Sequence, residues 1–88
     1  MQQLFFYSNI RYLIDSSYPS IYAFIKANQQ MKQNTVQDYY NRTNESHIYP
    51  KFENVLEFAK IFNVSLDDLV YKNLSKGENN IWRNSLHF

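Results

Sequence analysis

Three side-chain amides, Gln33, Asn34 and Gln37, fall within five residues of one another in the stretch ANQQMKQNTVQDYYNR, residues 27–42. On a helix, a Gln or Asn amide offers a donor and an acceptor together. That pair matches the N6 and N7 edge of adenine in a major groove. Exposed amides on any solvated helix look the same, so the spacing alone leaves both readings open.

The other chemistry-bearing groups point nowhere specific. Asp67 and Asp68 are paired carboxylates that could serve acid–base work, but they follow Ser65 at a helix start, where capping and the helix dipole account for them. His47 and His87 are far apart and lack acidic neighbours at ligand spacing. The chain has no cysteine, which excludes disulfides and thiolate zinc sites. A single glycine excludes glycine-rich phosphate loops. Neither an enzyme nor a metal or cofactor site is expected.

The 88 residues make one domain by length. A chain this short buries a modest share of its surface and has little stability to spare. Hydrophobic residues are 44% and aromatics 18%, with eight tyrosines and seven phenylalanines. That supplies one core and leaves aromatic material for an interface. The net charge of +1 carries no basic excess of the kind strong nucleic-acid binders show. The N-terminal stretch MQQLFFYSNIRYLID reads neither as a signal peptide nor as a membrane span. A cytoplasmic protein is expected, and the sequons at Asn41, Asn44, Asn63 and Asn73 are read as chance matches.

The elements that would position the amides follow from apolar residues recurring at three and four. Ile10, Leu13 and Ile14 predict a first helix, capped by Ser8 or Asn9 and broken from Asp15 to Pro19. Ser20 caps a second, with Ile21, Phe24 and Ile25 facing in and Asn28, Gln29 and Gln30 ending it. Met31 closes the turn. A third helix is predicted from Lys32 to about Asn41, with Val36 and Tyr39 inward and Tyr40 more exposed. A polar loop over residues 42–49 leads to Pro50, which suits the first turn of a fourth helix. Its predicted stripe is Phe52, Val55, Leu56, Ala59 and Phe62, buried against Ile10, Leu13, Phe24 and Val36. Asn63 stops it. Ser65 and Asp68 form a capping box for a short fifth helix anchored by Leu66 and Leu69. The fold class is therefore all-α, a five-helix bundle over residues 1–76, with residues 77–88 as a C-terminal extension.

The segment YPKFENVLEFAKIFNVSLDDLV resembles the last two helices of the Cro/CI-type (XRE-like) helix-turn-helix domain. NIRYLID, SIYAFIKAN and MKQNTVQDYY resemble its first, second and recognition helices. The resemblance spans about residues 9–72. The chain departs from the pattern in the turn NQQM, which lacks the usual glycine, and in the longer loop NRTNESHIY.

The resemblance implies a small dimeric transcriptional regulator of the phage or mobile-element kind, bound to a double-stranded DNA operator. Gln33, Asn34 and Gln37 would read bases. Lys32, Thr35, Tyr40, Asn41 and Arg42 would reach phosphates, with Ser20 and Tyr22 on the second helix. Asp38 would pair with Arg42 at i+4. Phe5 and Phe6 at one end, and Trp82 and Leu86 at the other, either pack on the domain or form the dimer interface expected of a two-fold reader. The alternative is a helix-turn-helix scaffold repurposed to bind or inhibit another protein.

Overall fold

The computed structural model describes residues 4–43 and 49–76. The order is α1 (Phe6–Ser17), α2 (Ile21–Ala27), α3 (Gln33–Asn41), α4 (Phe52–Phe62), α5 (Leu66–Tyr71) and a final 3₁₀ turn, Leu74–Lys76. The fold is an all-α bundle of five helices. Among the described residues there is no strand, and no helix long and apolar enough to cross a membrane.

α1 starts earlier and runs further than its apolar spacing predicts. Neither Ser8 nor Asn9 caps it. Phe5 is the N-cap residue, without a side-chain cap bond, and its N–H donates to the Val70 carbonyl at 2.7 Å. A tertiary hydrogen bond thus stands where a local cap was expected, and Phe6 and Tyr7 enter the core. The helix continues through Asp15 to Ser17. Tyr18 then turns extended (φ −133°, ψ 149°), as the residue before Pro19 must.

Asn9 is fully buried. Its Nδ2 donates to the carbonyls of Leu69 and Lys72, both at 2.7 Å, and its Oδ1 accepts from the Leu74 N–H at 3.1 Å. One side chain therefore satisfies the orphan carbonyls at the end of α5 and the N–H that begins the 3₁₀ turn. That turn, which the apolar pattern did not predict, buries Leu74.

α2 follows its sequence closely. Ser20 Oγ accepts from the Ala23 N–H at 3.1 Å, and Phe24 is fully buried with Ile21 and Ile25 packed beside the core. Asn28 ends the helix, its Nδ2 donating to the Phe24 carbonyl at 3.0 Å. The turn into α3 needs no glycine. Among the described residues only Asn63 has a positive φ, so a side chain fits at each position of NQQM. Met31 is buried in that turn, and Val36 and Tyr39 point inward from α3.

α4 presents a different face from the predicted one. Phe58 is fully buried, with Val55 and Ala59 beside it, whereas Phe52 is 67% exposed. Leu56 and Phe62 are half-buried. The helix is apolar around so much of its circumference that two stripes overlap. Contact with Phe6 and Phe24 selects the one centred on Phe58. Pro50 lies outside the helix, because Lys51 is the N-cap residue. Asn63 ends α4 in the left-handed region (φ 55°, ψ 48°), and the Val64 N–H closes a Schellman bond to the Ala59 carbonyl at 3.1 Å.

Ser65 caps α5 by accepting from the Asp68 N–H at 3.1 Å. Asp68 reaches forward to Lys72 Nζ (3.4 Å), so its carboxylate serves an i,i+4 pair. Leu69 is fully buried and Leu66 half-buried.

Phe58 joins two aromatic groups. Phe6 lies edge-on to Tyr7, Tyr39 and Phe58, with centroids 5.3–6.0 Å apart. Phe24 stacks between Phe58 (5.9 Å) and Phe62 (5.7 Å), with Tyr18 edge-on at 5.1 Å. Phe58→Ala should cost about 3–5 kcal/mol, most of the stability of a domain this small. Phe52→Ala should stay within about 0.5 kcal/mol of the parent. Asn9→Ala should cost about 1–3 kcal/mol for each backbone group it leaves buried without a partner. Urea denaturation of the three variants checks this ranking.

Candidate nucleic-acid interface

α3 is held from two sides by adjacent tyrosines. Residues one apart on a helix point about 100° from each other, so Tyr39 and Tyr40 reach different neighbours. Tyr39 turns into the core, and its hydroxyl accepts from the Lys51 N–H at 3.1 Å and from Asn54 Nδ2 at 3.2 Å. It thereby fixes α3 to the start of α4. Tyr40 donates its hydroxyl to Asp15 Oδ1 at 2.5 Å, and the Arg11 guanidinium sits 4.9 Å from its ring centroid. It fixes α3 to α1. Gln30 adds a third tie, donating from Nε2 to Glu57 Oε2 at 3.1 Å, and so anchors the turn between α2 and α3 on α4.

What remains outward on α3 is largely amide. Gln33, Asn34 and Asn41 are exposed and Gln37 is half-buried. Their positions at 0, 1, 4 and 8 along the helix place them on one broad face over two turns. Asp38 shares that face and pairs with Arg42, Oδ2 to Nε at 2.9 Å. This is the i+4 pair the sequence suggests, and it offsets much of the positive charge Arg42 brings.

The remaining expected contact residues divide. Lys32 is exposed at the N-cap of α3, and Tyr22 is 67% exposed in the first turn of α2. Ser20 is exposed with its Oγ engaged as the cap. Thr35 is half-buried, lining a polar cleft of about 310 Å³ with Lys32, Lys51 and Asn54. Tyr40 departs from the expectation of an outward-facing contact: it is half-buried, with its hydroxyl and ring both engaged by α1.

One cation was missed. Lys51 is exposed and borders a cleft of about 340 Å³ with Asn34, Thr35, Asp38 and Tyr49. It belongs to another helix, so no periodicity in α3 could reveal it. The only sequence signal is its place after Pro50, at the expected start of α4.

Of the four residues assigned to a dimer interface, Phe6 is buried in its own chain's core, and Phe5 is half-buried with its N–H held by Val70. Trp82 and Leu86 lie outside the described residues, as do His47 and His87. No group of three His, Cys, Asp or Glu that could hold a metal occurs among the described residues. Asp67 and Asp68 occupy the first turn of α5.

No family model matches this chain, and neither a curated protein nor a solved structure is significantly similar to it.

Two phenols are shifted. The hydrogen bond to Asp15 raises the pKa of Tyr40, with burial and the Asp15 charge adding to it and Arg11 opposing. Burial raises that of Tyr7, helped by Tyr39. A phenol with a raised folded-state pKa keeps its proton after the unfolded chain has lost it. Its contribution is complete below the ordinary value of 10.0 and disappears as pH rises through the folded value. Stability should therefore fall as pH rises past 10.0, and Tyr40→Phe should make that fall shallower. Denaturant midpoints measured at neutral pH and above 10.0 test both statements.

Proposed function

We propose that this chain is a small sequence-reading DNA-binding regulator of the Cro/CI type, in which α2 and α3 work as a helix-turn-helix pair and α3 enters the major groove of an operator. The observation that carries the reading is the clamping of α3. Tyr39 ties it to the start of α4 and Tyr40 ties it to α1, and Gln33, Asn34, Gln37 and Asn41 remain on its free face. Base readout needs a helix with a fixed orientation, and amides suit sites containing adenine. Lys32 and Lys51 would meet phosphates on one flank. With Arg42 paired to Asp38 and a net charge of +1, phosphate contacts are few and the salt dependence is shallow. The regulator would act as a homodimer on a two-fold operator.

A second reading is favoured by Asp38 and Tyr22. A carboxylate on the outward face of α3 repels phosphate, and a Tyr that is 67% exposed suits a protein interface. In that reading the same scaffold binds another protein.

Selection from a random DNA library at low salt separates the two. An enriched motif is expected. Gln33→Ala and Gln37→Ala should each lose about 1–3 kcal/mol on that motif and little on random DNA. Lys32→Ala and Lys51→Ala should weaken all sequences alike and flatten the salt dependence. No enriched motif, together with a nuclease-resistant protein partner in a pull-down, would establish the second reading.

A further inference from the structure

A groove of about 610 Å³ lies between the approach to α4 and the length of α5. Phe6 and Val55 are buried residues in its lining, and Leu66 and Val70 belong to its α5 side. Four large hydrophobic residues stand out as exposed in the described structure. Three of them, Tyr49, Phe52 and Tyr71, border this one concavity. Single exposed aromatics are ordinary on protein surfaces, but three around one apolar groove mark a surface made to be covered.

We propose that this groove is the seat of the chain's own C-terminal segment, residues 77–88, with Trp82 as the side chain that fills it. The inference is independent of the reading of α3. The segment supplies the chemistry: Ile81, Trp82, Leu86 and Phe88 are apolar, and Trp82 is the sole tryptophan of the chain. Charge agrees. Among the described residues that line the groove Asp67 is the one that is charged, and it is exposed; Arg83 follows Trp82 directly in the sequence.

The tether agrees as well. The described chain reaches Lys76 just after Asn9 has bound the Lys72 carbonyl and the Leu74 N–H. One turn back along α1, the Phe5 N–H holds the Val70 carbonyl, and Val70 lines the groove. The polar residues 77–80, Gly-Glu-Asn-Asn, extend up to about 13 Å before Ile81. A tether that short gives an effective concentration in the millimolar range, favouring the segment of the same chain over that of a second copy.

Trp82 fluorescence reports the docking without a label. In the full chain, acrylamide should quench Trp82 several-fold less than it quenches free N-acetyltryptophanamide, and dilution should leave that protection unchanged. Phe52→Ser and Tyr71→Ser remove exposed side chains from the groove's rim and should leave the helical circular dichroism intact. Each should raise quenching towards the free value, and the pair together should reach it. The proposal is overturned if Trp82 in the full chain is quenched as freely as the model compound. It is equally overturned if protection survives the double variant, which would place Trp82 elsewhere. Protection lost on dilution as the mass by light scattering halves would assign the groove to the tail of a second copy.

Discussion

The buried amide of Asn9 is the interaction on which the bundle's closure depends. α5 is only six residues long, too short to be stable by itself, and its terminal carbonyls face α1. An apolar residue at position 9 would leave the Leu69 and Lys72 carbonyls and the Leu74 N–H facing a side chain that offers nothing. Asn9 answers all three, across 60 to 65 residues of sequence. Among the described residues no buried side-chain nitrogen or oxygen lacks a partner, so this polar core element is satisfied and carries no hidden cost. With α5 locked to α1, and the Phe5 N–H held by Val70, the two ends of the described chain close on each other.

Inside that closure the aromatic groups set the geometry of α3. Phe58 touches both the Phe6 and the Phe24 group, so α4 cannot rotate without disturbing α1 and α2 together. Tyr39 sits against Phe6, Tyr7 and Phe58 while its hydroxyl serves the backbone of Lys51. The ring contributes to the core and the hydroxyl contributes position. The outward face of α3 is thus defined by subtraction: the core takes Val36 and Tyr39, α1 takes Tyr40, and the amides are what is left.

That face is weakly charged. Arg42 is engaged by Asp38, and Lys32 and Lys51 are exposed cations on its flank. A DNA partner would be held by shape and amide readout more than by charge, and a protein partner would find the same face hospitable.

Much of this was legible in sequence. Five helices, the Ser20 and Ser65 caps, the Asn63 stop and the inward turn of Val36 and Tyr39 were readable because each depends on neighbours within one or two helical turns. The amide cluster was visible for the same reason. Local periodicity could not choose between two overlapping stripes on α4, and it placed Phe52 in the core where Phe58 belongs. It read Asn9 as a cap because an asparagine near a helix start is usually one; only the arrival of α5 makes it a buried clamp. It left Tyr40 facing outward, since the Asp15 carboxylate that takes its hydroxyl lies 25 residues away. It passed over Lys51, which comes to α3 from another helix. The sequence by itself determined that five helices form and where α2, α3 and α4 stop. The tertiary structure decided which face of each is spent on packing, because that choice rests on contacts between residues that no helical repeat relates.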